Sequence, residues 1–234
     1  MAENSEFENY YFEDRQAAAR ELIEILPIKV MQHEAWILIA LSEGAVEMTM
    51  KLAQRFGFDF DLLFTEGIFA PNNDECQLAM VSETNDIVVE EKLVESFGIS
   101  MDYIYDQGEQ LFHRYITKYQ HRYRKGLGIT DLRDRNVLLI DQGCETGFKT
   151  MCALKSVIGM GVRKVSLATP VIPDDLYRLL DKKVDKIFAV HQIRDFIEVA
   201  YYYRTLPDIK PKELKKMLEA CKHFLPFKKG EETI

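Results

Sequence analysis

Short apolar runs alternate along this chain with longer stretches in which apolar residues recur every three or four positions. The runs predict buried β-strands, which lie at residues 36–41, 60–64, 137–140, 164–169 and 186–191. The stretches with helical spacing predict α-helices at residues 14–26, 46–56, 100–125, 151–158, 174–180 and 212–224. Strands that alternate with helices predict an α/β fold, with a central, mostly parallel sheet flanked by helices.

Two further strands, at residues 78–82 and 87–90, predict an antiparallel hairpin or ladder beside the parallel sheet. The chain shows no internal repeat and no obvious linker, so we expect a single domain with a core at about residues 35–190. The segments 1–34 and 191–234 are expected to form a small cap over the sheet.

Composition narrows the class of protein. Of the 234 residues 47% are hydrophobic, and the net charge is -8. This charge argues against duplex nucleic acid as the main partner, because proteins that bind it carry a basic surface. No apolar run approaches the roughly 18 residues that a membrane helix needs. The acidic residues 1–8 resemble neither a secretory signal nor a transit peptide, so we expect a cytoplasmic protein without a membrane partner.

The cysteines and histidines predict no metal centre. The four cysteines, at positions 76, 144, 152 and 221, lack a Cys-x-x-Cys spacing and are expected to be reduced thiols. The five histidines show no spacing typical of metal ligands. We therefore do not expect a metal ion held by protein ligands alone.

Basic residues cluster in the predicted helix at residues 113–125 and again at residues 210–229. A solvated helix face is the preferred interpretation of the second cluster. The first leads directly into the strand at 137–140, so two interpretations stay open: a solvated face, or a set of phosphate contacts over a binding site.

The segment that follows this strand carries the clearest candidate chemistry. Asp141 stands at the strand end, a loop contains Gly143 and Gly147, and helical spacing begins soon afterwards. Free N–H groups at a helix N-terminus and the helix dipole attract anions. Hydroxyl donors and a positive charge are also available in this loop, from Thr146, Thr150 and Lys149. A 5-phosphate in the loop, with ribose hydroxyls on Asp141, is the ligand that fits.

The pattern alone leaves a strand–loop–helix unit that binds nothing as an open alternative. The glycine spacing is not that of a Walker A loop, because Phe148 separates Gly147 from Lys149. It is not a Rossmann fingerprint either. No nucleophile elbow is present, so an unrelated hydrolase or kinase is a poor interpretation.

Residues 137–150 resemble the phosphoribosyl pyrophosphate (PRPP) motif of the type I phosphoribosyltransferases, in which an apolar strand, acidic residues and a Thr-Gly loop follow one another. Further blocks resemble a branch of small bacterial members of that family. They are Phe12-Glu13-Asp14-Arg15 and the segments 37–46, 68–75, 122–126 and 169–173, followed by Asp195-Phe196 and the tyrosines at 201–203. These blocks occur in the family's order and cover about residues 12–220.

The resemblance implies the family's fold, a homodimer, a cap that selects the acceptor base, and transfer of ribose 5-phosphate from PRPP to a nitrogenous base with Mg²⁺. The ligand would be PRPP or a nucleoside monophosphate, and Mg²⁺ would be held through the ligand and Asp141. The ribose-phosphate loop would comprise Asp141, Gln142, Gly143, Cys144, Glu145, Thr146, Gly147, Phe148, Lys149 and Thr150. The pyrophosphate positions would be Ser42, Glu43, Gly44 and Glu66.

Individual residues of the loop have more than one interpretation. Glu145 is similar in position to an acid that handles a purine proton in hypoxanthine-type members, and otherwise it favours the helix N-terminus through the dipole. Cys144 is expected to pack the loop and not to act as a nucleophile. The tyrosines at 201–203 could stack on a base, but as alternating strand residues they are more often packing.

Three departures from the family pattern affect function. Gln142 stands where the second acid of the motif is expected, while Glu43 and Glu66 stand at basic positions. Two carboxylates would repel a pyrophosphate, although Mg²⁺ could bridge them to it. Two hypotheses therefore remain: an active phosphoribosyltransferase, or a catalytically inactive protein of that fold that serves as a nucleotide-sensing or protein-interaction module.

Overall fold

The computed structural model describes residues 10–228 as two β-sheets with surrounding helices. The strands are β1 (Trp36–Ala40), β2 (Asp59–Leu62), β3 (Thr65–Ala70), β4 (Asn73–Ser82), β5 (Ile87–Val89), β6 (Asn136–Ile140), β7 (Lys164–Pro173) and β8 (Lys186–Ile193). The α-helices are α1 (Arg15–Ile25), α2 (Ile28–Met31), α3 (Glu43–Phe56), α4 (Glu91–Ser96), α5 (Met101–Leu111), α6 (Thr117–Arg124), α7 (Phe148–Gly159), α8 (Asp174–Leu180) and α9 (Pro211–Ala220).

The larger sheet has five strands in the order β2-β1-β6-β7-β8, and each neighbouring pair is parallel. Successive side chains of a strand point to opposite faces. On one face Leu38 and Leu138 pack with α1 and α3, and on the other Ile39 and Leu139 pack with α7 and α8. The predicted α/β fold with a parallel central sheet is confirmed.

The smaller sheet is antiparallel, in the order β3-β4-β5, and contains both strands of the predicted hairpin. Strand β3 was missed, because its mixed sequence Thr-Glu-Gly-Ile-Phe-Ala shows no clean alternation. The prediction of one strand at residues 60–64 was wrong in its bounds. Strand β2 ends at Leu62, and the buried residues Leu63 and Phe64 connect it to β3 of the second sheet.

The long helical stretch predicted at residues 100–125 is continuous but not uniform. A π-helical segment, Phe112–Ile116, joins α5 to α6. Such segments interrupt α-helices frequently at functional sites. The predicted final helix at residues 212–224 was too long, since α9 ends at Ala220. The tyrosines at 201–203 were wrongly expected in a strand, because Val199–Tyr202 forms a 3₁₀ turn.

The two ends of the described chain meet beside the parallel sheet. The backbone N–H of Phe12 donates to the carbonyl of Tyr202 at 3.0 Å, and that of Arg204 donates to the carbonyl of Phe12 at 2.8 Å. Asp14 caps α1 by accepting from the N–H of Ala17. The division into a core and a cap stays a prediction, and its residues 1–9 and 229–234 lie outside the described part of the chain.

A buried ion network ties α6 to both sheets. The Arg124 guanidinium, fully buried, contacts the carboxylate of Glu83 after β4 and that of Asp61 in β2, the latter at 3.7 Å. It also lies over the Phe64 ring at 4.4 Å. Burial raises the pKa of Asp61 to about 6, against the opposing effects of Arg124 and of two backbone N–H donors. This network sets the position of α6 relative to the edge of the parallel sheet.

None of the described helices is both long enough and apolar enough to cross a membrane.

The ion network around Arg124 leads to a prediction about the free energy of unfolding. Replacing Arg124 with methionine leaves two buried carboxylates without their cation, and loss of one partner of a buried pair typically costs about 3–5 kcal/mol. We expect that loss in the free energy of unfolding measured by urea denaturation. Arg122→Met, at an exposed position of the same helix, is the control. Equal effects of the two substitutions would contradict a structural role of the network.

Candidate functional site

The carboxyl ends of β1 and β6 form a crevice at one edge of the parallel sheet. From β1 the chain proceeds to β2 on one side, whereas β6 leads to β7 and β8 on the other. In open α/β sheets, ligands bind where the strand order reverses in this way. The Ser42 hydroxyl donates to Oδ1 of Asp141 at 3.1 Å and joins the two loops. A side chain at Gly44 would collide with Gln142, so the loops are in direct contact.

The loop after β6 wraps a cavity of about 310 Å³. Its lining consists of Gln77, Met80, Asp141, Gln142, Gly143, Cys144, Glu145, Thr146, Gly147, Lys149, Thr150 and Val199. The predicted phosphate-loop residues therefore converge on one space, with the exception of Phe148. The N–H of Phe148 instead lies 3.5 Å from the Thr146 hydroxyl, which accepts from it.

Helix α7 begins at this cavity. Its N-cap residue Gly147 has φ +80°, a left-handed conformation that glycine adopts without strain. The first N–H groups of a helix have no partner within the helix, and Lys149, the second residue of α7, lines the same cavity as the loop. The arrangement suits a phosphate group, because backbone donors, a helix dipole and a cation act together.

Asp141 is buried and lies at the centre of the crevice. Its Oδ1 accepts from the Ser42 hydroxyl and from the N–H of Gln142, at 3.1 and 2.9 Å, while Nζ of Lys149 lies 3.4 Å from its Oδ2. The carboxylate is therefore held in one orientation. A ribose hydroxyl would donate to it next to the Lys149 ammonium.

Cys144 and Thr150 lie deep in the loop. Burial, followed by the nearby Asp141 carboxylate, raises the pKa of the Cys144 thiol to about 12. A thiol in this environment is a poor nucleophile, because only the thiolate reacts readily. Its Sγ lies 3.5 Å from the Thr150 hydroxyl, which is consistent with a packing role.

Glu145 is exposed at the outer rim of the loop. Its Oε2 accepts from the N–H of Val199 at 3.3 Å. It lines the phosphate-loop cavity and also a neighbouring open cavity of about 640 Å³, which includes Arg178 and Arg194. A role of Glu145 in proton transfer stays a prediction.

Glu43 and Glu66 line a smaller cavity of about 180 Å³ on the other side of Lys149, together with Ser42, Phe64, Thr65, Tyr119 and apolar residues of β1 and β2. The Tyr119 hydroxyl donates to Oε1 of Glu66 at 2.7 Å, and the Tyr123 hydroxyl donates to Oε1 of Glu43 at 2.6 Å. Burial and, to a smaller extent, the charge of Glu43 raise the pKa of Glu66. The predicted pyrophosphate positions thus adjoin an acidic space.

The basic residues of the 113–125 segment do not line these two cavities. Arg124 is buried in its ion network, Arg122 lies 5.7 Å from the Tyr123 ring, and Lys118 lies over Tyr115. The segment meets the site through Tyr119 and Tyr123. Sequence reasoning missed both tyrosines, although their spacing of four residues in a predicted helix puts them on one face.

Gln142 is held by side chains from both the amino-terminal and the carboxyl-terminal segments. Its Oε1 accepts from Nε of Arg15 at 2.8 Å, and its backbone carbonyl accepts from the Tyr203 hydroxyl at 2.6 Å. Arg15 also donates to the carbonyl of Pro207. Gln142 therefore connects the loop to α1 and to the carboxyl-terminal segment, a role that the local motif did not reveal.

An aromatic cluster lies beyond this contact. The rings of Tyr11 and His191 are stacked with centroids 4.4 Å apart, and Tyr202 stacks on Tyr11 at 5.5 Å. Tyr202 and Tyr203 are buried, which favours packing, while Tyr201 is 42% exposed. Stacking of Tyr201 on a base stays a prediction.

Within residues 10–228, no group of three or more His, Cys, Asp or Glu side chains could hold a metal ion. Any Mg²⁺ at this site would therefore take most of its oxygen ligands from a bound phosphate compound and from water, with Asp141, Glu43 or Glu66 as possible additional ligands.

Comparison with known proteins supports the family resemblance. No protein-family model matches the chain. Two proteins of Mycobacterium tuberculosis, from strains CDC 1551 and H37Rv, are each 23% identical to it over 211 residues, or 89% of this chain. Both are named "Putative phosphoribosyl transferase". Only 46% of each relative is covered, so the chain spans about half the length of the curated relatives it matches.

Among solved structures, the crystal structure of TT1426 from Thermus thermophilus is similar, with a TM-score of 0.69 and 24% identity over 88% of this chain and 96% of that one. This likeness shows a shared α/β fold. The chain is thus similar in sequence to two proteins named "Putative phosphoribosyl transferase" and similar in fold to TT1426.

The left-handed backbone conformation of Gly147 leads to a prediction about the stability of the fold. A side chain at this position would adopt a conformation that costs about 1–2 kcal/mol, and its Cβ would lie 2.5 Å from Leu176. We expect Gly147→Ala to lower the free energy of unfolding by about that amount. Gly159→Ala at the other end of α7, where a Cβ meets nothing, should leave it unchanged or raise it by about 0.4–1 kcal/mol. Equal destabilisation of both variants in urea unfolding would contradict this assignment.

Proposed function

We propose that this protein binds the ribose 5-phosphate moiety of a nucleotide-like ligand in the loop at residues 141–150. The observation that carries the proposal is the cavity of about 310 Å³, which the loop encloses together with Lys149 and the N-terminus of α7. The 5-phosphate would accept from the first N–H groups of the helix, from Thr146 and from Lys149. The ribose hydroxyls would donate to Asp141.

Transfer of the bound moiety from PRPP to a nitrogenous base, with release of pyrophosphate, is the activity that the names of the relatives suggest. The position of Glu145 favours it, since this carboxylate lies between the phosphate-loop cavity and a second open cavity that could admit a base. Mg²⁺, when bound with the ligand, would neutralise charge on the leaving pyrophosphate. Glu145 would exchange a proton with the incoming base.

A non-catalytic role in nucleotide sensing or protein interaction is the competing hypothesis. Gln142 supports it, because its side-chain oxygen is already bound by Arg15 and is not an acid that could hold ribose or metal. Glu43 and Glu66 support it as well, since they place carboxylates where the leaving pyrophosphate would need cations. Homodimer formation and a cytoplasmic location stay predictions under either hypothesis.

Lys149 provides the test of ligand binding. A charge-assisted hydrogen bond contributes about 1.5–3 kcal/mol, so Lys149→Met should weaken the binding of ribose 5-phosphate by about 10- to 100-fold. Isothermal titration of ribose 5-phosphate into the purified full chain measures this change. Lys155→Met is the matched control, because Lys155 lies two turns later on α7 and donates to the carbonyl of Ile87. Failure of the wild-type chain to bind ribose 5-phosphate would contradict the proposal.

Glu145 provides the test of transfer. Pyrophosphate release from PRPP and Mg²⁺ is measured with a panel of purine and pyrimidine bases. If transfer occurs, Glu145→Gln should lower its rate by about 100-fold or more, as expected for acid–base catalysis, while Glu198→Gln at a nearby exposed position should not. Absence of release by the wild-type chain with every base would favour the non-catalytic hypothesis.

A further inference from the structure

The small cavity beside the phosphate loop has a wall of two carboxylates that the helix α6 holds in place. Tyr119 and Tyr123 lie one helical turn apart, and their hydroxyls donate to Glu66 and Glu43, respectively. Each carboxylate has one oxygen bound in this way, at 2.7 and 2.6 Å. A hydroxyl that donates to a carboxylate fixes the orientation of that carboxylate, so these contacts hold both carboxylates beside the cavity.

The two tyrosines are themselves held by packing. The Phe64 ring lies between them, with ring centroids 5.7 Å from Tyr119 and 6.0 Å from Tyr123. Arg124 follows on the same helix and is buried against Phe64 and Glu83. The donors are therefore packed against buried side chains, and a carboxylate that turned away from the cavity would lose a hydrogen bond.

The two carboxylates that line this cavity carry more charge than Lys149, the cation that lines it with them. Lys149 lines both cavities, but its Nζ lies 3.4 Å from Oδ2 of Asp141, which offsets its charge. Lys149 is therefore shared with Asp141, and the carboxylates of Glu43 and Glu66 outnumber this single cation in the lining of the small cavity. Partly buried charges are screened less by salt than exposed ones, so an anion entering here meets repulsion.

We propose that Tyr119 and Tyr123 are positioning residues that hold Glu66 and Glu43 as an anion-excluding wall, and that the site consequently selects ribose 5-phosphate compounds without a phosphate group on C1. The preferred ligands are then ribose 5-phosphate itself and nucleoside monophosphates, whereas PRPP that is not bound to Mg²⁺ is rejected. This inference rests on the proposed function, because the 5-phosphate in the neighbouring loop brings C1 toward the crevice.

The selectivity is tested by titrating ribose 5-phosphate and PRPP into the full chain in the absence of Mg²⁺, since Mg²⁺ would bridge the carboxylates to the pyrophosphate. Without Mg²⁺ the wild-type chain should bind PRPP at least about tenfold more weakly than ribose 5-phosphate. The double variant Glu43→Gln, Glu66→Gln should bind PRPP about tenfold or more tightly than the wild type does, with a far smaller change for ribose 5-phosphate. The matched control is Glu47→Gln, Glu75→Gln, which removes the same charge from α3 and β4 outside the cavity.

The positioning role is tested separately. Tyr119→Phe, Tyr123→Phe keeps the rings but removes both hydroxyl donors, so the carboxylates are free to turn away from the cavity. The ratio of the two dissociation constants should fall toward that of the double glutamine variant, while thermal unfolding confirms that the fold is retained. Tyr115→Phe, on the preceding π-helical segment, should leave the ratio unchanged.

The possible outcomes separate the two proposals. Equal or tighter binding of PRPP by the wild-type chain without Mg²⁺, or an unchanged ratio in the glutamine variant, would overturn the anion-excluding wall and leave ribose 5-phosphate binding intact. An unchanged ratio in the phenylalanine variant alone would overturn the positioning role of the tyrosines. If ribose 5-phosphate does not bind at all, the proposed function fails and the wall fails with it.

Discussion

The parallel pairing of β1 with β6 is the constraint on which the candidate site depends. Ile39 pairs with Leu139 and Ala40 with Ile140, so both strands end at the same edge of the sheet. Ser42 and Asp141, separated by 99 positions along the chain, consequently share a hydrogen bond. The phosphate loop and the acidic cavity then open on either side of Lys149. A different neighbour for β1 would place these loops apart.

A second constraint places α6 over that edge. The Arg124 guanidinium is buried between the carboxylates of Asp61, in β2 of the parallel sheet, and of Glu83, in the turn after β4 of the antiparallel sheet. Burying such charges is costly, but the resulting contact holds the helix against Phe64 and directs Tyr119 and Tyr123 to the crevice. The network therefore links a structural feature remote from the phosphate loop to the chemistry of the neighbouring cavity.

The two sides of the crevice differ in charge, and the proposed ligand selectivity depends on this difference. A fold can serve several functions, because function depends on the residues of the site. On one side, Lys149 and the helix N-terminus suit an anion. On the other, Glu43 and Glu66 disfavour one. The family resemblance predicts a ligand with both a 5-phosphate and a pyrophosphate on C1. The carboxylates of Glu43 and Glu66 instead support our proposal of a ligand that carries the 5-phosphate alone.

The sequence by itself determined the parallel sheet and the strand–loop–helix unit at residues 137–159, because both depend on short-range patterns. Short apolar runs in the sequence indicate the strands. Residues 141–150 are contiguous, so a strand, a turn at Gly147 and a helix are enough to bring them to one cavity. Tertiary structure alone decided the contacts of Tyr119 with Glu66 and of Tyr123 with Glu43, which are 53 and 80 positions apart. It likewise decided the contact of Arg15 with Gln142. No periodicity encodes such pairs, because they depend on how a helix packs across two sheets.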